Sequence, residues 1–287
     1  MDKLFEPSRK FIKSTNLYKF QKYLEQKLSK KFLNYNKLWL WTNKNPGEFW
    51  ESIVEYFNID LERKRFFKAY KKKSFWNSIF FDNSNLNYYD LISKNNSSDL
   101  AIEFIGENKF SEKIIYSDLN KRINALSNFF RDKGIKKGDV IVGYLPNIPD
   151  TVISFLSAAK IGAVWSSCSA DFGTQAVIDR FSQLKPKLLI VADYYFYNGK
   201  KFQYSKNLRT LKANLNNPLI LKTSYPSKNN TSELKKIYNQ KKYSKLNKNI
   251  SLSFNHPLYV LFSSGTTGLP KCITHGHGGS LLQHLKE

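Results

Sequence analysis

The sequence predicts an α/β protein: mostly parallel sheets flanked by helices, preceded by a small helical N-terminal cap. Two patterns predict this class. From about residue 100 onward, short apolar runs of strand length alternate with segments whose apolar residues recur at helical spacing, and such repeats imply parallel strands covered by helices. Before that point helical spacing dominates, most clearly over residues 49–57, which follow the turn signal Asn45-Pro46-Gly47.

The expected strands are short apolar runs bounded by polar or turn-forming residues. They cover Leu100–Ile105, Val140–Leu145, 163–167, 187–192 and 258–262. Residues 222–250 are different, because they are rich in Lys, Asn and Ser and have little periodicity. We expect this segment to form a surface excursion or loose helices.

The expected helices lie between these strands. Ser117 is a candidate N-cap for the first, and Gly134 suits the left-handed residue that follows its end. A second helix is expected over about 150–162. Thr174 is the candidate N-cap of a third, which would continue to Leu184.

Composition limits the class of protein. In 287 residues, 41% are hydrophobic, which is enough for a sizeable core, and the two cysteines form no CxxC pair. We therefore expect neither a disulfide framework nor a metal site, and a cytoplasmic location. Residues 152–165 form the best apolar segment, but Lys160 interrupts it and a membrane span needs about 20 residues.

The formal net charge of +23 raises the possibility of a nucleic-acid partner. The lysines are spread along the whole chain, however, among Asn, Ile, Phe and Tyr, residues that share A/T-rich codons. Dispersed charge is typical of a solvated surface. We expect no nucleic-acid or membrane partner, and keep a basic nucleic-acid-binding protein as an alternative.

The most informative segment follows the last expected strand and reads SSGTTGLPK, residues 263–271. Glycines let a backbone turn sharply and approach a ligand closely, while freed N–H groups and hydroxyls can donate to phosphate oxygens. Lys271 adds a compact positive charge. The segment therefore predicts a polyphosphate-binding loop, with these candidate residues: Ser264, Gly265, Thr266, Thr267, Gly268 and Lys271.

Other chemistries fit the sequence poorly. The loop is neither a Walker A motif nor a Rossmann fingerprint, because its glycines are separated by two residues and Lys271 precedes a cysteine. The string Asp171-Phe172-Gly173 is found without the other kinase motifs. His275 and His277 have no third ligand at suitable spacing, so no metal-ligating residue is predicted.

The loop resembles the nucleotide-binding loop of the adenylate-forming family, which includes acyl-CoA synthetases. The continuation CITHGHGGSLLQHLKE and the strings SCSADFG at 167–173 and DRF at 179–181 are similar to the acetoacetyl-CoA synthetase branch. An LWLW string at 38–41 is similar to the N-terminal cap of the acetyl-CoA synthetase branch. Most relatives have Gly where Cys272 stands. The likeness begins at about Leu38 and covers the rest of the chain.

The resemblance implies an ATP-dependent acid–thiol ligase that makes acetoacetyl-CoA through an acyl-adenylate, with ATP, Mg²⁺ and coenzyme A as substrates or cofactors. It also implies a coenzyme A contact near Gly199 and Lys200, for which an ordinary basic turn is the simpler interpretation. The catalytic lysine of the family is expected downstream of the chain end, so no catalytic residue is assigned here.

The resemblance divides the chain into an N-terminal extension (1–37), a cap (38–98) and an AMP-binding domain (99–287) truncated after the phosphate loop. We expect a fragment that is inactive alone and has a separately encoded C-terminal half as a possible partner. Acetate or propionate as the acid, and a noncatalytic remnant, remain open alternatives.

Overall fold

The protein forms two compact units in this computed structural model, which describes residues 4–72, 74, 77–203, 207–247, 249–263 and 268–287. The first unit comprises residues 1–85 together with 282–287, and the second comprises residues 86–281. Each is described separately. Within the described ranges, no helix combines the length and the apolar character needed to cross a membrane.

The N-terminal unit consists mainly of helices followed by an antiparallel hairpin. Its elements are α1 (Arg9–Ser14), α2 (Asn16–Lys27), α3 (Tyr35–Lys44), α4 (Pro46–Tyr56), β1 (Glu62–Lys71) and β2 (Ile79–Leu86), whose last residue belongs to the second unit. Pro46 occupies the first turn of α4, where its missing N–H costs no hydrogen bond. Ile53 and Val54 of α4 are buried, as the helical spacing of residues 49–57 predicts.

A six-stranded sheet forms the centre of the second unit. Its strands are β5 (Val140–Leu145), β6 (Val164–Ser169), β7 (Leu188–Ala192), β10 (Leu219–Thr223), β12 (Pro257–Ser263) and β13 (Lys271–Gly276). They lie in the order β10-β7-β5-β6-β12-β13. All neighbours are parallel except β12 and β13, which form an antiparallel hairpin. The predicted α/β class with a mostly parallel sheet is confirmed.

Helices and smaller elements complete this unit. They are α5 (Tyr88–Ser93), β3 (Leu100–Ile105), β4 (Ser111–Ile115), α6 (Tyr116–Asp132), α7 (Pro149–Lys160), α8 (Thr174–Phe181), a 3-10 turn (Ser182–Leu184), β8 (Tyr194–Tyr197), β9 (Lys200–Gln203), α9 (Leu208–Asn214), α10 (Glu233–Tyr238), β11 (Leu252–Ser253) and α11 (His277–Lys286), which ends in the first unit. Every residue of β7 is buried, as expected for a strand covered on both faces.

Gly134 follows α6 with φ of +77°, the left-handed conformation that its position predicts. The two predicted N-caps are wrong. Ser117 lies inside α6, because β4 runs directly into the helix and the N–H groups of Tyr116 and Ser117 donate to the carbonyls of Asp99 and Ser97. Backbone carbonyls thus replace a side-chain cap. Thr174 is the first residue of α8 rather than its cap, and Gly173 is the residue before it.

The predicted strand Leu100–Ile105 exists, but it pairs with β4 in a separate antiparallel hairpin instead of joining the parallel sheet. The expectation of a surface excursion or loose helices at residues 222–250 holds in part, because the helix α10 lies in this segment but the segment is not a surface excursion throughout. Leu234 and Ile237 of α10 are buried. The side-chain amides of Asn124 and Asn128 on α6 donate to the carbonyl of Lys245, both at 2.8 Å, and tie the segment to the body of the unit.

Candidate functional site

The loops that follow β6 and β12 lie side by side at one edge of the sheet. The two strands are parallel neighbours, with Tyr259 opposite Trp165 and Val260 opposite Ser166. Their carboxyl ends therefore point the same way, and the crevice beyond these ends is where α/β sheets bind ligands. The loop after β12 contains the predicted phosphate-binding segment.

The phosphate loop connects β12 to β13, and Ser263 pairs with Lys271 across its base. Gly268 has φ of +92°, a conformation that side chains disfavour. Lys271 is the first residue of β13, and its side chain is exposed. The other candidates, Ser264, Gly265, Thr266 and Thr267, lie outside the described residues.

The incoming arm of the loop is held by buried contacts. The Ser166 hydroxyl donates to the carbonyl of Val260 at 2.7 Å. The Arg180 guanidinium lies 4.7 Å from the ring centre of Phe172 and 5.9 Å from that of Phe262. A cation over aromatic faces is attracted by their quadrupoles. Arg180 thereby joins the loop after β6 to the last residues of β12.

The outgoing arm is held by the 3-10 turn that follows α8. The side-chain amide of Gln183 donates to the carbonyl of Pro270 at 3.0 Å and accepts from the thiol of Cys272 at 3.5 Å. These two residues are the neighbours of Lys271 on either side. Nothing in the local sequence of Gln183 predicts this role, although it lies close to the family-like string at residues 179–181.

The loop after β6 is fixed at its base by β5. The Tyr144 hydroxyl donates to the carbonyl of Phe172, and burial raises the pKa of Tyr144 to about 12. Cys168 on β6 is buried, and burial raises the pKa of its thiol to about 12. Neither group is ionised at neutral pH, so neither is a candidate nucleophile or base.

The second predicted ligand contact lies on the hairpin of β8 and β9. Asn198 and Gly199 form its turn with φ of +49° and +72°. The Gly199 amide donates to the carboxylate of Glu107 at 2.9 Å, and Lys200 is exposed. The hairpin follows β7, which lies three positions from β12 in the sheet, or about 14 Å at ordinary strand spacing. It therefore lies along the same edge as the phosphate loop.

His277, at the start of α11, is buried and faces the backbone of α5. Its Nδ1 accepts a hydrogen bond from the amide of Tyr88 at 3.1 Å. Burial, with a smaller effect of His256, lowers the pKa of His277 to about 3, so the ring is neutral. No cluster of three or more His, Cys, Asp or Glu side chains that could hold a metal ion is found among the described residues.

A buried carboxylate, which the sequence did not reveal as special, lies at the start of α7. Asp150 accepts hydrogen bonds from the hydroxyl of Thr223 and, at 2.9 Å, from that of Tyr238. Burial raises the pKa of Asp150, and these two hydrogen bonds partly oppose that rise. Asp150 and Tyr238 line a cavity of about 230 Å³.

The carboxyl edge of a parallel sheet is where α/β proteins bind ligands, and here it carries a Gly- and Lys-containing loop after β12. The chain belongs to the AMP-binding enzyme family, whose sequence model matches residues 94–287.

Within this family, the chain is similar to proteins named acetoacetyl-CoA synthetase. It is 33% identical to that of Rhizobium meliloti and 33% identical to that of Gallus gallus, in each case over 99% of this chain and 44% of the relative. A solved structure, acetoacetyl-CoA synthetase from Streptomyces lividans, superposes with a TM-score of 0.87 at 27% identity and covers 98% of this chain and 44% of its own. The chain thus spans less than half the length of these relatives.

Proposed function

We propose that this chain contributes the ATP-phosphate site of an acid–thiol ligase that makes acetoacetyl-CoA from acetoacetate, ATP and coenzyme A. One observation carries the proposal: the Gly268–Lys271 arm lies at the carboxyl edge of the sheet in a chain similar throughout to acetoacetyl-CoA synthetases. The relatives' shared name favours acetoacetate over acetate or propionate. It also favours a ligase over a nucleic-acid-binding protein or a noncatalytic remnant.

The proposed reaction has two displacements. A carboxylate oxygen of the acid attacks the α-phosphorus of ATP, the bond to the bridging oxygen breaks, and pyrophosphate leaves with that oxygen. The thiol of coenzyme A, losing its proton, then attacks the acyl carbon, and AMP leaves. Negative charge grows on the leaving pyrophosphate in the first step, so a positioned cation and N–H donors there lower the barrier.

In this proposal Lys271 provides the cation and the backbone at Gly268 approaches the β- and γ-phosphates. Ser264, Gly265, Thr266 and Thr267 would provide hydroxyl and amide donors to the same phosphates. Magnesium, when bound to ATP, would neutralise phosphate charge. The described residues offer no cluster of acidic side chains to hold it, so no step is derived through it.

The coenzyme A contact at Gly199 and Lys200 is part of the same proposal. Lys200 is exposed on the hairpin and could meet a phosphate. The Gly199 amide already donates to Glu107, so it would have to exchange this carboxylate for a phosphate oxygen. Of the two residues, Lys200 therefore has the stronger support as a phosphate ligand.

The finer features of organisation are also proposals. The family match to residues 94–287 supports an AMP-binding domain over 99–287, after an extension at 1–37 and a cap at 38–98. Two free cysteines support a reducing compartment such as the cytoplasm. Small-molecule substrates follow from the family, and a separately encoded C-terminal half would supply the remaining length of the relatives.

The test is the variant Lys271→Ala, in a protein that carries the remaining length found in the relatives. We expect ATP–pyrophosphate exchange to fall by about a hundredfold or more, the usual cost of removing one group that stabilises charge in the transition state. Lys222→Ala is the matched control, because Lys222 is an exposed strand lysine at the opposite edge of the same sheet. Unchanged exchange in Lys271→Ala would remove the phosphate assignment.

A further inference from the structure

We infer that Gln183 is a positioning residue that sets the place of Lys271 in the phosphate loop, an inference that rests on the proposed function. Gln183 lies in the 3-10 turn Ser182–Leu184, 87 residues before Pro270 in the chain. It touches neither the loop's glycines nor Lys271 itself in any described contact. Its effect would pass through the two residues that flank the lysine.

Both polar atoms of the Gln183 side-chain amide form hydrogen bonds here. Its Nε2 donates to the carbonyl of Asp179 at 2.8 Å, which anchors the side chain to the end of α8, and to the carbonyl of Pro270 at 3.0 Å. Its Oε1 accepts from the Cys272 thiol at 3.5 Å. One side chain thus connects a helix end to the residue before Lys271 and to the residue after it.

The position of β13 at the end of the sheet makes the hydrogen bonds of Gln183 important for this strand. β13 is the last strand in the order of the sheet and pairs with β12 on one side. Pro270 has no N–H, so its carbonyl is its only backbone group able to form a hydrogen bond. Without Gln183, the start of β13 would be held by its pairing with β12, in which Lys271 lies opposite Ser263 and Cys272 opposite Phe262. Displacement of a catalytic group by about 1 Å can cost about a hundredfold in rate, so the loop needs a second restraint.

Cys272 supplies a reporter that requires no ligand. The only other cysteine, Cys168, is buried, so a maleimide should modify Cys272 first. Cys272 is exposed, and its thiol is a weak hydrogen-bond donor. We therefore expect Gln183→Met, which keeps the length of the side chain but lacks the amide, to speed alkylation of Cys272 about twofold. Gln175→Met is the matched control, because Gln175 is on α8 but bonds Asp179 and not the loop.

Gln183→Glu separates the two contacts. The carboxylate can still accept from the Cys272 thiol, but it cannot donate to Pro270 and it brings negative charge beside the phosphate loop. We therefore expect slower alkylation of Cys272, because the neighbouring negative charge disfavours the reactive thiolate. We also expect affinity for inorganic tripolyphosphate to fall about tenfold or more. Because this charge repels a polyphosphate whatever the role of Gln183, the neutral Gln183→Met variant decides whether Gln183 positions the loop.

Tripolyphosphate affinity, measured by calorimetry on the 287-residue chain, completes the test. We expect Gln183→Met to weaken binding about fivefold and Gln175→Met to leave it unchanged. If the unchanged chain binds and Gln183→Met binds equally well, or if Gln183→Met leaves the alkylation rate of Cys272 unaltered, the inference is overturned while the proposed function stands. If the unchanged chain fails to bind tripolyphosphate, the inference is overturned, and Lys271→Ala in the longer protein decides the proposed function separately.

Discussion

Two tyrosines in the second unit offer a controlled measurement of what burial adds to a hydrogen bond. Tyr238 donates to the buried carboxylate of Asp150, and Tyr243 donates to Asp132, a carboxylate with a side-chain exposure of 35%. Both bonds are 2.9 Å long. Replacing either tyrosine by phenylalanine removes one hydroxyl and leaves the ring in place.

At a pH where Asp150 is ionised, we expect Tyr238→Phe to lower the free energy of unfolding by about 1.5–3 kcal/mol, the range for a hydrogen bond to a charged group. Tyr243→Phe should lower the free energy of unfolding much less, because water and Lys242 can still donate hydrogen bonds to the Asp132 carboxylate. In an Asp150→Asn background, the cost of Tyr238→Phe should fall to about 1 kcal/mol, since the bond then joins two neutral groups.

The loss from Tyr238→Phe should also depend on pH. Burial raises the pKa of Asp150 in the folded state, so this group makes stability fall as pH rises above the ordinary carboxyl pKa. The Tyr238 hydrogen bond favours the ionised form, and removing it raises the pKa of Asp150 further. The variant should therefore lose more stability at about pH 8 than at about pH 5.

Urea denaturation followed by far-ultraviolet circular dichroism provides the measurement for the two tyrosine variants, for Asp150→Asn and for the double variant. Because both tyrosines lie in the same unit, the comparison does not depend on how the other unit unfolds. Equal losses for Tyr238→Phe and Tyr243→Phe, or a loss from Tyr238→Phe that shrinks with rising pH, would refute the reasoning from burial.

The start of α11 supports two further predictions. A Cβ at Gly278 would lie 2.3 Å from a ring atom of Phe254, so Gly278→Ala should lower the free energy of unfolding by about 1–3 kcal/mol. A Cβ at Gly279 would have nothing within 4 Å, so Gly279→Ala should be neutral or slightly stabilising. Equal melting temperatures for the two variants in thermal melts would contradict this. The pKa of His277 falls from 6.5 to about 3 on burial, so its contribution to stability is present above about pH 6.5 and is lost as pH falls toward 3. His277→Gln should reduce the slope of the free energy of unfolding against pH, between about pH 3 and pH 6.5, by up to about 1.4 kcal/mol per pH unit. An unchanged slope would contradict a neutral, buried ring.

The strands at the centre of the sheet were predictable because a strand buried on both faces is a continuous apolar run in the sequence. β5 and β7 are continuous apolar runs, and α7 between β5 and β6 shows helical spacing. The edge strands were missed for the opposite reason. β1 contains five Lys and Arg residues, and β13 is a mixed strand whose first four residues are exposed. Their pairing comes from neighbours, which a local pattern does not report.

The candidate site was predictable where one contiguous segment carries the chemistry. The glycines, hydroxyls and Lys271 stand together in the sequence, so the loop could be found there. Gln183 and Asp150 could not, because their roles depend on partners 87 and 88 residues away. Nor did local propensity reveal that backbone carbonyls, rather than Ser117, complete the start of α6.

The position of β12 between β6 and β13 has a consequence for the order of folding. The β12–β13 hairpin is local in sequence and can close quickly, but the bond from Ser166 to Val260 spans 94 residues. Chain entropy opposes so distant a contact until the intervening helices have collapsed, and nonlocal pairing slows folding. We therefore expect the β12–β13 hairpin to dock late, after most of the sheet has formed.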